Sequence, residues 1–295
     1  MVLSGRLGLD SARVPHADRH GLLWLYRGNL LVEDGTLHFI TAGSPFFDAG
    51  AYSIPFQTVS LILLGPGTTI SHDTLRLAAR HGTGLAAVGE DGVRMYTAPP
   101  LGPNDSALAR RQAECWADAE GCRLRVIRAM YGWRLGSLPP AKEIDVLRGI
   151  EGVRMKEMYM LLAEKYGVKW NRRRYDRRNP QSADPPNQAI NHAASAVEAA
   201  AFIAVAATGT IPQLGFIHEA STNAFPLDIA DLFRDEVTLP VAFEAVNRWQ
   251  RHRDVELERY VRRLAGQYFK EMRLISAMID RIKDLFNADD RGCDT

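Results

Sequence analysis

One histidine and two aspartates stand close together in the stretch Gly215 to Arg234, GFIHEASTNAFPLDIADLFR: His218, Asp228 ten residues on, and Asp231. If Pro226 opens a helix, Asp228 and Asp231 share one face, with their Cβ atoms roughly 5–6 Å apart. Two ionised carboxylates at that distance repel, and the pair is most stable with a cation between or beside them. A histidine delivered by the preceding loop completes a mixed nitrogen and oxygen ligand set. Such a set suits Mn²⁺ or Zn²⁺ and, with carboxylates in the majority, Mg²⁺. The zinc-protease pattern HExxH is excluded, because Thr222 stands where its second histidine would be. A plainer reading of the same residues makes Asp228 a helix cap, Asp231 a first-turn acid and His218 a satisfied buried side chain.

A third acid lies upstream. Leu147 to Tyr166, LRGIEGVRMKEMYMLLAEKY, has helical periodicity, and its Glu151 is bracketed by Gly149 and Gly152 with Arg148 and Arg154 close by. Glycine inside a helix costs roughly 1 kcal/mol relative to alanine, so two in one turn predict that another backbone or a ligand approaches there. R-G-I-E-G in one helix, then N-x-A-x-N-H-A, G-F-I-H and D-I-A-D-L-F-R, together resemble the CRISPR-associated integrase, the larger subunit of the spacer-acquisition machinery. The likeness is greatest to its E-subtype form.

The resemblance spans residues 14–285 and implies a function. Glu151, His218 and Asp231 match the family's metal ligands, and Asp228 matches a fourth acidic position of the same catalytic site. The cofactor is Mg²⁺ or Mn²⁺, and the reaction is attack by the 3′-hydroxyl of a short foreign duplex on the backbone at a CRISPR repeat boundary. The implied partners are double-stranded and branched DNA, a second copy in a homodimer, and a small CRISPR-associated adaptation protein whose dimer bridges two homodimers into a heterohexamer. Arg94 stands where relatives contact DNA, and Arg76 is a looser candidate. Departures are Thr69 for a second arginine after the Gly-Pro-Gly-Thr turn, Glu198 for an aromatic, Ser221 for a lysine, and Tyr26 one residue early for the tyrosine that splays the duplex end. Three other readings use the same residues: a free-standing metal-dependent nuclease of branched DNA, a catalytically silent DNA-binding scaffold, and a structural helical protein whose acids are caps.

These residues need elements to hold them. At roughly 150 residues per domain, 295 residues predict two, and 46% hydrophobic content is enough for real cores. The expected fold is α+β: a mainly β dimerisation and DNA-cradling domain over 1–97, a Pro- and Gly-rich linker over 98–106, and a helical catalytic domain over 107–295 ending in a polar tail. Strands are read at Leu22 to Tyr26, Asn29 to Glu33, Thr36 to Thr41 and Ser53 to Leu64, with a hairpin from Leu85 to Thr97 around Glu90-Asp91-Gly92. Ser71 to His81 is a capped helix. Single helices are expected over Ala107 to Arg134, Asn187 to Thr208, Pro240 to Trp249 and Asp254 to Phe286.

The net charge is only +1, but its distribution is uneven. Residues 148–178 hold ten Lys or Arg against four acids and residues 248–283 ten against five, while 228–247 carry five acids and one arginine. Cationic surface flanking clustered carboxylates suits a phosphodiester enzyme, although salt-bridged helix faces give similar counts. Arg172, Arg173 and Arg174, followed by Tyr175, read as a loop for phosphate contact and base stacking. Cys115 and Cys122 lie about 10 Å apart along any helix containing both, too far to bridge. The opening MVLSGRLGLDSARVP has no apolar core of signal-peptide length, and the alanine-rich run Ala193 to Pro212 is interrupted by Glu198. Both point to a cytoplasmic protein with no membrane partner.

Overall fold

The computed structural model describes residues 21–44, 47–97, 107–137, 144–174, 183–252 and 255–287. The linker expected at 98–106, Tyr175 with the rest of the basic loop, and the tail beyond 287 lie outside the described residues.

The N-terminal region is rich in strands: β1 (Gly21–Leu25), β2 (Gly28–Glu33), β3 (Thr36–Thr41), β4 (Gly50–Ile54), β5 (Val59–Leu64), β6 (Thr68–Ile70), then helix α1 (His72–His81), β7 (Gly84–Val88) and β8 (Met95–Thr97). Two sheets form among the described residues, ordered β1-β5-β7-β8 and β4-β3-β2-β6. The β2–β3 hairpin turns through Asp34 and Gly35, both at positive φ (48° and 73°), which matches the twist of the flanking strands. The run expected over Ser53 to Leu64 divides at Pro55 into β4 and β5. Strand β5 pairs in parallel with both β1 and β7, and its sequence VSLILL is apolar on both faces, as a central parallel strand requires. Alternation along it divides two cores. Ile62 packs with Leu25, Leu30, Phe39 and Leu85 between the sheets, while Leu61 and Leu63 face the helices. Helix α1 starts where Ser71 accepts the Thr74 N–H and stops at Gly82 in the left-handed region (φ 67°).

Tyr26 is buried, stacked on Trp24 with ring centroids 6.2 Å apart. A Cβ on Gly65 would lie 2.3 Å from the Tyr26 ring, so that glycine is what admits the tyrosine. Burial pushes its hydroxyl up to about 12. Its ring is part of the core, not a projection toward a duplex end.

The helical region runs α2 (Ala107–Ala117), α3 (Cys122–Leu135), α4 (Ile144–Lys165), α5 (Pro185–Thr208), α6 (Ala224–Asp231), a π turn at Arg234–Thr238, α7 (Leu239–Arg251), α8 (Leu257–Glu271) and α9 (Leu274–Asn287). Two single helices of the sequence reading are in fact pairs. The first breaks at 118–121, where Asp118 accepts the N–H groups of Gly121 (3.1 Å) and Cys122 (2.7 Å). The reversal brings the Cα atoms of Cys115 and Cys122 to 4.7 Å, and the two are joined by a disulfide, contrary to the spacing argument, which assumed one continuous helix. The second breaks at Arg273, whose φ is 49°.

Helix α5 is the hub, packed against α6, α7, α8 and α9. Its alanines at 189, 193, 196, 200, 201, 204 and 207 are buried and let neighbouring helices approach closely. By length and composition α5 could cross a membrane, but more than half of its most apolar window is buried within the protein. Asp184 caps it by accepting the Asn187 N–H at 3.3 Å.

Candidate active centre

His218 is held by a strap, residues 211–219, laid against α2 and α6. Gln112, fully buried on α2, donates to the carbonyls of Ile211 (3.0 Å) and Leu214 (2.9 Å) and accepts the Ile211 N–H at 2.7 Å. Trp116 donates its indole N–H to the Gly215 carbonyl at 3.0 Å. Arg123 of α3 pairs with Glu219 and lies over the Trp116 ring, so the disulfide-linked α2–α3 turn grips both ends of the strap. A Cβ on Gly215 would lie 2.2 Å from the His218 carbonyl oxygen, so only glycine permits this fold-back.

Asp228 is the pivot. Its side chain is 0% exposed, and its Oδ2 accepts from the N–H groups of Phe216 (2.5 Å) and Ile217 (3.1 Å). Its Oδ1 accepts from His218 N–H (2.9 Å) and lies 2.7 Å from the same residue's Nδ1. A carboxylate so placed fixes the imidazole with Nδ1 protonated and leaves Nε2 as the outward nitrogen. Nε2 points to Asp231, 3.8 Å from Oδ2. The hydrogen bond to Asp228 raises the pKa of His218 above the usual imidazole range, against the opposing effect of burial.

Glu151 arrives from α4 on the other side. It meets the Arg134 guanidinium of α3, which is also 3.8 Å from Asp231 Oδ2 and has a side chain only 7% exposed. Arg234 completes the frame, donating to Asp231 Oδ1 (3.2 Å) and to the Tyr159 hydroxyl (3.0 Å). Burial raises the pKa of Glu151, with Arg134 opposing, and raises that of Asp235, whose Oδ2 is 3.6 Å from Arg154. A cavity of about 270 Å³ opens beside these groups, lined by Glu151, Asp231, Asp235 and Arg154 among others.

Among the described residues no three His, Cys, Asp or Glu side chains are grouped closely enough to hold a metal ion. The donor set nevertheless fits a divalent cation. Two carboxylates already converge on a positive charge, that of Arg134, and Nε2 of His218 faces one of them. Two oxygens and one nitrogen suit a cation of the Mg²⁺ or Mn²⁺ class.

Residues 129–271 match the family model described as CRISPR associated protein Cas1. The CRISPR-associated endonuclease Cas1 of Escherichia coli K12 is 36% identical over 277 residues, covering 93% of this chain and 87% of that one. That of Geobacter sulfurreducens is 35% identical over the same shares. The chain belongs to the Cas1 family. Among solved structures, the TtCas1–DNA complex superposes with a TM-score of 0.80 at 32% identity, covering 92% of this chain and 97% of that one. The resemblance carried by R-G-I-E-G, G-F-I-H and D-I-A-D-L-F-R thus extends over nearly the whole length, to relatives named as CRISPR-associated endonucleases. The order of a strand-rich N-terminal region before a helical one is likewise that of its Cas1 neighbours.

The sequence-derived residues are not all placed alike in this Cas1 fold. Glu151, His218 and Asp231 come together, with Asp228 behind His218. Arg148, Arg172, Arg174 and Arg76 are exposed, Arg148 lying 3.3 Å from Asp145 and Arg76 3.1 Å from Asp73. Arg94 pairs with Glu258 across the seam between the β and helical regions. Arg154 donates to the Leu135 carbonyl at 2.8 Å, and Arg173 is held by Asn187 (3.0 Å) and Asn191 (2.6 Å). Among the described residues nothing lies within 4 Å of a Cβ built on Gly149 or Gly152, so no described neighbour accounts for those glycines. Sequence reasoning missed Arg134 and Arg234. Arg234 closes the D-I-A-D-L-F-R motif and could have been found three residues beyond Asp231, but no local signal marks Arg134. Glu198 is half-buried and interacts with Asn223 and Asp231; burial raises its pKa, with the hydrogen bond to Asn223 opposing.

Proposed function

We propose that Glu151, His218 and Asp231 hold one Mg²⁺ or Mn²⁺ ion and that DNA phosphoryl transfer takes place there. The observation that carries this is the convergence of two carboxylates on one cationic side chain, with an oriented imidazole facing one of them, beside an open cavity. Bound there, the ion would polarise the phosphodiester and lower the pKa of the attacking hydroxyl. Asp228 is a positioning residue that holds the His218 ring with Nε2 outward, and Arg234 keeps Asp231 from turning away. In the reaction the 3′-oxygen of the incoming duplex forms a bond to the target phosphorus, and the bond to the target's own 3′-oxygen breaks.

DNA lies along exposed Arg148, Arg172, Arg174 and Arg94, with Arg76 as an outlying contact. These give affinity without sequence, and the chain's bare Gly149–Gly152 face leaves room for a nucleic-acid backbone to approach α4. A relative solved as a DNA complex supports DNA binding by this chain. The working unit is a homodimer, two of which are bridged by a dimer of the small adaptation protein, in the cytoplasm. Residues 1–97 dimerise and cradle the duplex, 98–106 link, and 107–295 carry catalysis.

The test is joining of a short labelled duplex with free 3′-hydroxyls to a supercoiled plasmid bearing a repeat, with and without the small partner. Metal- and partner-dependent joining at the repeat boundary is expected. Cleavage of branched DNA without joining would instead make the protein a free-standing nuclease, and binding with neither activity would leave a scaffold.

A further inference from the structure

Arg134 stands where the metal reading needs an ion. Its guanidinium contacts Glu151 and reaches to 3.8 Å from Asp231, and its side chain is 7% exposed. A buried positive charge bridging two acids that otherwise repel stabilises the metal-free centre. It also blocks the centre, because a divalent ion placed between Glu151 and Asp231 would share their oxygens with a cation of like sign. The guanidinium has an anchor besides the carboxylates: the Tyr131 ring lies 5.9 Å beneath it, holding it by its face. Arg134 also occupies the last turn of α3, one residue before the helix ends at Leu135, and lines the 270 Å³ cavity into which it could turn.

We propose that Arg134 is the resident counter-cation of Glu151 and Asp231 and that metal loading requires its displacement from them into this cavity. The inference rests on the metal reading above and adds to it a competition within the chain. Arg134 preserves the spacing of the carboxylates while no ion is bound and lowers the affinity for the ion that replaces it. The opposite possibility, a guanidinium that stays in place and orients Glu151 for the ion, predicts effects of opposite sign.

The experiment measures Mn²⁺ binding by electron paramagnetic resonance on the full-length protein without DNA, for wild type, Arg134→Met, Arg134→Lys and Asp231→Asn, with folding checked by circular dichroism. Differential coupling of this kind is worth roughly five- to a hundredfold. Arg134→Met should therefore bind Mn²⁺ at least about fivefold more tightly than wild type, melt at a lower temperature when metal-free, and regain the lost melting temperature on metal addition. Arg134→Lys, which restores the charge, should return affinity toward the wild-type value. Unchanged or weaker binding by a folded Arg134→Met overturns the proposal. Should that variant not fold, crystals of the wild type soaked in MnCl₂ decide: manganese at the centre with Arg134 still between Glu151 and Asp231 overturns it, and a displaced guanidinium supports it. If wild type binds no Mn²⁺, or Asp231→Asn binds it equally well, the metal reading itself has failed, an outcome distinct from failure of the Arg134 competition.

Discussion

The two sides of the centre are built differently. Around His218 every polar atom of Asp228 is engaged by the strap, Gly215 admits the fold-back, and the α2–α3 turn clamps the strap through Gln112, Trp116 and Arg123. Glu151, in contrast, projects from α4, whose outer face shows Val146, Ile150 and Val153 to solvent and whose two glycines touch nothing nearby. What holds Glu151 is a contact with Arg134, an ion pair and not a backbone network. A fully satisfied buried carboxylate fixes geometry, whereas a pair of long side chains can rearrange at small cost. A metal bound here would have its geometry set from the His218 side, with the Glu151 side adapting.

The largest effects should be alike on both sides, because the ion's field acts on the whole transition state. Glu151→Gln and His218→Ala should each slow DNA joining by about a hundredfold to a thousandfold, read from initial rates at saturating metal. Stability should then separate them. Asp228→Ala leaves three strap N–H groups without their acceptor and should cost about 3 kcal/mol in urea unfolding, with a 10- to 100-fold loss of metal affinity. Glu151→Gln, whose amide oxygen can still accept from Arg134 while Asp231 remains beside that charge, should cost less than Asp228→Ala. A larger loss for Glu151→Gln than for Asp228→Ala would abolish the contrast. Cys115→Ser removes the covalent tie of the clamp and should cost about 2 kcal/mol under oxidising conditions, and nothing beside a reduced wild type.

The smallest effect is on pH dependence. The folded pKa of His218 is raised, so its charged pairing with Asp228 stabilises the metal-free protein fully below about pH 6.5, the unfolded value. That contribution is lost as pH rises through the folded pKa. Metal affinity should run the other way, rising with pH as His218 gives up its proton. Thermal melts of metal-free wild type and Asp228→Asn across this range, beside Mn²⁺ titrations, would show opposite slopes in wild type and a flattened melting profile in the variant.

The His218 side was the legible one. Its ligands and their carboxylate partner fall within fourteen residues of each other, and short-range spacing survives folding. The Glu151 side depends on contacts between residues far apart in sequence. Arg134 lies seventeen positions before Glu151 and on another helix, where no periodicity announces it. The same limit explains the fold. The β2–β3 hairpin is written in Asp34-Gly35, but the parallel pairing of β1 with β5 joins segments whose partners no turn residue specifies. The Cys115–Cys122 bridge was misjudged because the break at Asp118–Gly121 follows from side-chain capping and not from loss of helical pattern.

The most direct test of the central claim, that Glu151, His218 and Asp231 act as one metal-dependent centre, is cleavage of a labelled branched DNA by purified protein without partner. It would compare wild type with Asp231→Ala, and Mn²⁺ with a chelator. The account predicts cleavage that disappears with the chelator and with Asp231→Ala, while DNA binding by gel shift persists. Cleavage by Asp231→Ala at the wild-type rate, or by wild type in the chelator, would contradict it.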